Sequence, residues 1–318
     1  MLDEGSLGAV MLPGASAAVG FLPPLGASLE AAGFESVWAG EVNNLEAPTQ
    51  LALVGSATAS IGLAAVLSVY TRAPTTLALT ASTLGKAFPG RVSIALGASS
   101  PLLVETWNGI PYGRPLARVR DVLRFLRMAL EGRRVDEAFA TFSSRGFRLV
   151  DPAPEPPRLE VATVSPGTLR LAAKEADGVV LNWCSPADID GVEADYPDRT
   201  RISTCVYVCP TSDAAQARAL MGSLVADYLS VPAYAEFQRR MGRGPALEPM
   251  WVEQAKGNRN GALAKLPAAV FDDLVVHGPP AECRARVADY RAAGVTPVLN
   301  LVTDVAPFED QALALADG

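Results

Sequence analysis

The chain has 318 residues, of which 49% are hydrophobic, 19% charged and 7% aromatic, and its formal net charge is −7. This composition excludes an intrinsically disordered chain, because disorder requires low hydrophobicity together with high net charge. The acidic balance and the lack of a basic stripe predict no nucleic-acid partner, since phosphate backbones are recognised by clustered Lys and Arg.

Short apolar runs alternate with amphipathic segments along almost the whole chain. The apolar runs predict eight strands, and the segments between them predict helices. The predicted strands lie at 7–11, 36–39, 61–67, 91–96, 159–164, 178–182, 202–208 and 297–301, and the predicted helices at 23–32, 47–59, 74–87, 116–131, 167–176, 212–229 and 280–293. The strands are continuously apolar, which is typical of a parallel sheet that is covered on both faces.

Eight strands interleaved with helices predict an α/β fold, a (β/α)8 TIM-like barrel. An open doubly wound sheet is the alternative, and it is disfavoured because no Gly-x-Gly-x-x-Gly follows the first strand. Two insertions interrupt the repeat: 138–157, a small hairpin turning at Ser144–Gly146, and 231–276, a long and partly helical excursion. We expect one domain over residues 1–318, with both insertions bordering the active site, because βα loops build such sites.

The chain carries no targeting or metal-binding signature. No Lys or Arg precedes Arg72, so a secretory signal with its basic start is not expected. The charge-free stretch 47–71 is long enough for a membrane span, but scattered polar residues and Gly62 indicate a buried helix and strand instead. Four cysteines without a Cys-x-x-Cys pair and a single histidine predict reduced thiols and no metal. These features predict a cytoplasmic protein with no membrane partner.

The residues after the predicted strands are candidates for a ligand site, because a barrel places its active site at the carboxyl ends of its strands. Glu41 follows the second strand, and its carboxylate would orient a ligand or serve as a solvated loop charge. Ser99 and Ser100 follow the fourth strand, where small residues admit a ligand and hydroxyls supply hydrogen bonds. The alternative for the serine pair is an ordinary turn with a helix cap.

A second candidate site opens the helix after the fifth strand. Its residues are Val164, Ser165, Pro166, Gly167 and Thr168. Unpaired backbone N–H groups at a helix start carry partial positive charge and attract phosphate, although many helices begin this way without a ligand. The single histidine, His277, has no evident partner and is interpreted as a structural turn residue. Motifs for nucleophilic or metal-dependent hydrolysis are missing from the sequence.

Several segments, taken together and in order, resemble the bacterial luciferase-like monooxygenase superfamily. The likeness is greatest to its branch of deazaflavin-dependent oxidoreductases, and it extends from about residue 7 to residue 303. The segments are 29–41 (LEAAGFESVWAGE), 68–74 (SVYTRAP), 90–101 (GRVSIALGASSP), 105–112 (ETWNGIPY), 114–118 (RPLAR), 169–173 (LRLAA) and 277–283 (HGPPAEC).

The resemblance implies a TIM-like barrel that binds coenzyme F-420 (8-hydroxy-5-deazaflavin) or, alternatively, FMN, with the ring across the barrel mouth. It implies phosphate contacts at residues 164–168 and a homodimer that pairs through helices early in the chain. The ring is expected over Ala64, Ala65 and Val66, with a non-prolyl cis peptide between the two alanines. Glu41, Ser99 and Ser100 are expected to contact the ring or its side chain.

The sequence departs from the family pattern at two positions. Deazaflavin-dependent sugar-phosphate dehydrogenases of the family carry His after the acidic residue of the second strand and Glu in the loop after the fourth, where this chain has Val42 and Ser100. The catalytic residues are not assigned by the sequence, with Glu41 and Ser100 as candidates, and the acid and base of an alcohol oxidation are missing. Solvent, Ser or Tyr could supply the proton of a reduction. We therefore expect hydride transfer to an activated C=C or C=N bond of a small molecule. An FMN-dependent two-component monooxygenase and a non-catalytic flavin-binding protein are the alternatives.

Large aromatic residues are candidates for the substrate pocket. Each belongs equally well to the hydrophobic core, since the sequence alone does not separate the two roles. They are Trp107, Trp183, Tyr234, Phe237 and Trp251.

Overall fold

A computed structural model describes residues 8–13, 19–43, 45–197, 201–302 and 307–316. Within them lie eleven strands: β1 (Ala9–Met11), β2 (Ser36–Gly40), β3 (Gly62–Ser68), β4 (Val92–Gly97), β5 (Val135–Ala138), β6 (Ser143–Phe147), β7 (Arg158–Ala162), β8 (Gly178–Asn182), β9 (Ile202–Cys209), β10 (Val275–His277) and β11 (Thr296–Leu301). Eight parallel strands close into a barrel in the order β1-β2-β3-β4-β7-β8-β9-β11, and β11 pairs with β1. The predicted barrel is confirmed.

Helices cover the outside of this barrel. They are α1 (Leu22–Ala31), α2 (Ala47–Ser56), α3 (Pro74–Ala87), α4 (Pro115–Leu130), α5 (Pro166–Glu175), α6 (Ile189–Glu193), α7 (Ala214–Leu229), α8 (Pro232–Arg240), α9 (Gly244–Ala255), α10 (Arg259–Lys265), α11 (Ala268–Leu274), α12 (Pro280–Ala292) and α13 (Phe308–Ala316). The helices α1 to α5 and α12 have proline in the first turn, where its missing N–H group costs no hydrogen bond. Within the described ranges, no helix has the length and hydrophobicity of a membrane span.

The predicted elements agree with the observed ones to within a few residues. Leu7, predicted in the first strand, lies outside the described residues. The fifth predicted strand, 159–164, ends early at Ala162, because the N–H group of Ser165 turns back to Thr163 Oγ1 at 3.0 Å. The helix predicted at 212–229 starts later, because the Asp213 carboxylate accepts the N–H groups that open α7.

The hairpin formed by β5 and β6 turns at 139–142, so the predicted turn at Ser144–Gly146 was wrong. Phe139 and Phe142 stack with 4.7 Å between ring centroids, and both rings also pack against Phe125 of α4. This aromatic cluster fixes the turn at 139–142, before the predicted position, and ties the hairpin to α4.

The barrel interior is small and layered. One cluster joins Ala9, Trp38, Ala64, Ala95, Val180 and Val298, which come from six different strands.

Nearer the amino ends of the strands, the fully buried Glu160 points inward and lies 3.7 Å from Arg201. Gly178 separates these two residues in the pairing register, and a Cβ there would meet Arg201 O at 3.0 Å. Glycine therefore allows the carboxylate and guanidinium to approach each other inside the barrel.

The excursion from 231 to 276 folds into the helices α8 to α11 and leads into the strand β10. A second core cluster joins these helices and α7 to side chains at the carboxyl ends of β8 and β9. The strand β10 pairs in parallel with Tyr207–Cys209, beyond the residues of β9 that pair with β8. The strand β10 was not predicted, because a run of two valines before His277 is too short to distinguish from a helix end.

Candidate active site

The carboxyl ends of the barrel strands surround an open mouth whose floor is uncharged. Cys205 pairs with the interior residue Val298, and Asn182 pairs with Cys205, so both side chains point into the barrel. The inward residues at this level are half-buried, which means that solvent reaches them from the mouth. They are Met11, Val66, Ala162, Asn182, Cys205 and Asn300.

A polar cavity of about 520 Å³ lies on one side of the mouth, at the ends of β2, β3 and β4. It contains the predicted site residues Glu41 and Ser99 but not Ser100 or residues 164–168. The lining residues are Glu41, Val42, Asn43, Leu45, Glu46, Ser68, Thr71, Arg72, Ala73, Thr76, Ser99, Leu103 and Asn108.

Arg72 binds the carboxylate of Glu41 through two hydrogen bonds. Its Nε lies 3.0 Å from Oε2 and its Nη2 lies 2.6 Å from Oε1, while the Ala47 N–H group donates to Oε1 at 3.1 Å. Arg72 also pairs with Glu46. The hydrogen bond to Glu41, followed by that to Glu46, raises the pKa of Arg72 despite its partial burial. Glu41 is thus a fixed carboxylate, which excludes the alternative of a solvated loop charge.

Arg72 was not predicted to belong to the site. A signal was available, because Arg72 follows the third strand just as Glu41 follows the second, and neighbouring parallel strands end at the same edge. The side-chain conformation that joins the two residues depends on the tertiary structure.

The two serines after β4 differ in role. Ser99 is exposed at the cavity and has a φ of 63°, a left-handed conformation that is uncommon for a residue with a side chain and is often found at functional sites. Ser100 accepts the N–H group of Leu103 through its Oγ at 3.4 Å, which is the helix-cap alternative. It precedes a π-helical turn over Leu102–Trp107.

At the end of β3, the three residues expected beneath the ring face different ways. Ala64 and Val66 point into the barrel, whereas the side chain of Ala65 is fully buried in the outer core. The expectation of a cis peptide between Ala64 and Ala65 was wrong: the described chain has only trans peptide bonds. Both alanines pair in unbroken register with β2 and β4, and such a regular ladder requires extended trans backbone.

The start of α5 offers a limited set of donors. The Pro166 nitrogen has no hydrogen, and the N–H groups of Ser165 and Thr168 are bonded to Thr163 Oγ1 and Ser165 O. Gly167 has a backbone N–H group with no partner among the described residues. The Ser165 hydroxyl does not cap the helix, so it is also available for a ligand. Val164 is buried beneath this turn.

A cluster around Arg118, which the sequence analysis did not assign, holds the loops above β3 and β4. The Arg118 Nε donates to Val69 O at 3.0 Å, and its guanidinium lies over the rings of Tyr70 and Phe142. The Tyr70 hydroxyl donates to Gly113 O at 2.5 Å, and its ring lies 5.2 Å from that of Tyr112. Burial raises the pKa of both tyrosines. The hairpin tip thereby reaches the mouth through Phe142.

Aromatic residues form the opposite side of the mouth, at the ends of β8 and β9. Trp183 stacks on Tyr207 with 4.0 Å between centroids and 9° between planes, and its φ of 55° is left-handed. Tyr228 packs against Trp183 at 5.5 Å and against Tyr234 at 5.9 Å. Asn182 Nδ2 donates to the Tyr234 hydroxyl at 3.2 Å.

The other aromatic candidates lie elsewhere. Phe237 and Trp251 are buried in the core, whereas Trp107 is 47% exposed on the π-helical turn. His277, at the end of β10, has its Nε2 3.0 Å from Asp272 Oδ1. The parts of the chain that the structure describes contain no cluster of three or more acidic, His or Cys residues arranged for a metal.

The sequence profile of the luciferase-like monooxygenase family matches residues 11–297. The chain belongs to this family, which confirms the resemblance carried by its motifs.

Two curated relatives align over most of the chain. A protein of Mycobacterium tuberculosis, assigned by name as a coenzyme F420-dependent oxidoreductase, is 28% identical over 307 residues, covering 85% of this chain and 87% of its own length. The 5,10-methylenetetrahydromethanopterin reductase of Methanolobus tindarius is 24% identical and covers 90% and 91%. Among solved structures, the coenzyme F420-dependent tetrahydromethanopterin reductase from Methanopyrus kandleri superposes with a TM-score of 0.77 at 20% identity, covering 96% of both chains. This last likeness is one of fold.

Proposed function

We propose that the protein is an oxidoreductase that transfers hydride between coenzyme F-420 and a small organic substrate, in the direction that reduces an activated C=C or C=N bond. The names of the relatives, which align with nearly the whole chain, support the cofactor and the class of reaction. The geometry of the mouth supports the direction.

The observation that carries this direction is the bidentate pairing of Glu41 with Arg72. Oxidation of an alcohol requires a base to accept the hydroxyl proton. The carboxylate best placed for that task is already occupied by a guanidinium and a backbone N–H group, and the floor residues are uncharged. Reduction of a conjugated double bond needs no such base, because water supplies the proton.

The residues present fit a phosphorylated cofactor with a flat ring. The Gly167 N–H group and the Ser165 hydroxyl would hold the phosphate at the start of α5. Ser99 and the Glu41–Arg72 pair would contact the ring or its side chain, and the small residues of β3 leave room beside them. The bound deazaflavin would supply the hydride, while the chain orients both reactants and limits water.

Fluorescence titration with oxidised F-420 and, separately, FMN tests the proposal. We expect F-420 to bind at least tenfold more tightly than FMN. Preferential FMN binding, together with oxygen consumption in the presence of reduced FMN, would overturn it in favour of a monooxygenase. Binding of neither would leave a non-catalytic family member.

The phosphate assignment is tested at Gly167, where a Cβ would lie 3.3 Å from Leu116 Cδ2. We expect Gly167→Val to weaken F-420 binding about tenfold, because the branched side chain displaces the phosphate from the backbone N–H group. Gly20→Ala, at a position with no atom within 4 Å of the added carbon, is the control for the substitution of a glycine as such. Unchanged affinity of the Gly167 variant would refute the assignment.

A further inference from the structure

The side of the mouth formed by β8 and β9 has the features of a separate binding surface. Asn182, Cys205, Tyr228 and Tyr234 are half-buried there, whereas Trp183 and Tyr207 are buried behind them. We call these six residues the aromatic subsite. In the closed strand order, β8 lies opposite β2, so this subsite faces the polar cavity across the barrel axis.

One hydroxyl of the aromatic subsite is prepared to donate a hydrogen bond. Asn182 Oδ1 accepts the N–H group of Trp183 at 3.0 Å, which orients the amide so that Nδ2 donates to the Tyr234 oxygen at 3.2 Å. Because the tyrosine oxygen accepts from Asn182, its own hydrogen is directed elsewhere. No acceptor for that hydrogen lies among the described residues.

The aromatic subsite disfavours charge. Its six side chains and the neighbouring floor residues are neutral, and burial raises the pKa of the Cys205 thiol to about 12 and raises that of Tyr234. The charged group formed by Glu41, Glu46 and Arg72 lies across the barrel axis, at the ends of β2 and β3, and has a net charge of −1. An anionic ligand would lose its hydration here without gaining a cationic partner.

We propose that the aromatic subsite binds the substrate, and that this substrate is an uncharged, planar, conjugated carbonyl compound whose oxygen accepts the hydrogen of Tyr234. The substrate class rests on the proposed function, although the binding itself does not require the cofactor. Planarity follows from the rings of Tyr228 and Tyr234, which offer flat apolar contact area.

The hydrogen bond from Tyr234 has a consequence for the reaction. It draws electron density toward the carbonyl oxygen, which makes the β-carbon of the conjugated bond a better hydride acceptor. The hydride would form a C–H bond at the β-carbon as the C=C π bond breaks, and a proton from water would form a C–H bond at the α-carbon. The reduced deazaflavin would supply both the hydride, with its two electrons, and the proton that neutralises the hydroxide left by that water.

Calorimetric titration without cofactor tests the substrate class with two probes of one skeleton. Benzylideneacetone and cinnamate share the phenyl–CH=CH–C(=O) unit. They differ at the carbonyl carbon, which carries a methyl group in benzylideneacetone and, at pH 7.5, an anionic oxygen in cinnamate. We expect the ketone to bind at least tenfold more tightly than the carboxylate. Equal affinities or a preference for cinnamate would overturn the inference.

Two tyrosine variants test the donor. We expect Tyr234→Phe to weaken ketone binding about fivefold to tenfold, since a neutral hydrogen bond contributes about 1 kcal/mol. Tyr290→Phe removes a tyrosine hydroxyl in α12, outside the aromatic subsite, and should leave the affinity within twofold. Circular dichroism and thermal unfolding verify that both variants fold. An unchanged affinity of Tyr234→Phe, or a greater loss in Tyr290→Phe, would contradict the role of Tyr234.

The two proposals fail in different ways. Binding of F-420 without any binding of the ketone would overturn the substrate assignment alone. Binding of the ketone without any binding of F-420 would overturn the proposed cofactor and leave the aromatic subsite in place.

Discussion

At the scale of single residues, the pairing of Glu41 with Arg72 organises the polar side of the mouth. A planar guanidinium matches both carboxylate oxygens, and an ammonium does not. The pair also joins the loops after β2 and β3, because the two residues are 31 positions apart in the chain. The packing of these two loops and the ligand contacts proposed for Glu41 therefore depend on the same two hydrogen bonds.

We expect Arg72→Met to lower the free energy of unfolding by about 1–3 kcal/mol, because it leaves the half-buried carboxylate of Glu41 and the exposed one of Glu46 without their cation. Arg72→Lys should recover part of this loss. Urea unfolding measures the change in the free energy of unfolding for both variants. The control is Arg134→Met, which breaks the exposed ion pair between Arg134 and Asp136 and should change this free energy little. Equal behaviour of the two methionine variants would show that the mouth pair is no more important than a surface pair.

Gly178 is the second position at which one residue decides local structure. A Cβ would lie 3.0 Å from Arg201 O, 3.1 Å from Arg201 Cβ and 3.4 Å from Glu160 Cγ. We expect Gly178→Ala to destabilise the protein by about 1–3 kcal/mol through this crowding. Gly40→Ala, with no atom within 4 Å of the added carbon, should be nearly neutral in the same chemical unfolding assay. If both variants unfold alike, the crowding is relieved without cost.

At the scale of elements, one carboxylate fixes the connection between α2 and β3. Glu30 of α1 accepts the N–H groups of Ala59, Ser60 and Ile61 and the Ser60 hydroxyl, at distances of 2.6–3.1 Å. Slight burial by itself would raise the pKa of Glu30, but these hydrogen bonds outweigh it and lower the pKa from 4.5 to about 2. The ionised form is thus favoured in the folded state.

This depressed pKa predicts a specific acid sensitivity. The stabilisation from Glu30 is complete above about pH 4.5 and is lost as the pH falls toward 2, because only the folded state resists protonation. After allowance for solvent screening, we expect it to be about 1 kcal/mol. Urea unfolding of wild type and Glu30→Gln between pH 2 and 7 should show a difference that shrinks on acidification. A difference independent of pH would contradict the prediction.

The sequence predicted the barrel well because burial on both faces produces long apolar runs, as in 62–68 and 202–209. It predicted the turn of the hairpin badly, because the stacking of Phe139 and Phe142 overrode the local turn preference at Gly146. Glu41 and Ser99 were predicted from their positions after strands, and both line the polar cavity. Tyr234 was named as a pocket candidate from its aromatic ring alone. Arg72 and Asn182 were not predicted, because their contacts join segments that are distant in the chain.

At the scale of the whole molecule, we expect a homodimer that pairs through the early helices, as the resemblance implies. Leu79 of α3 is 54% exposed and is a suitable contact residue. Leu79→Glu should convert the dimer to a monomer in light scattering, because a charge would be buried at the interface. Val150→Glu, at a residue 99% exposed, is the control. A monomeric wild-type protein would refute this expectation.

The barrel is completed where its first strand meets its last. The strand β1 has three residues, and among the described residues Ala9 and Val10 pair with β11. During synthesis on the ribosome, β1 emerges long before these partners, because Val298 and Leu299 lie almost 290 positions further along the chain. The growing chain therefore exposes one unpaired edge of β1 until β11 has left the exit tunnel, and an unpaired edge is open to aggregation and to chaperones.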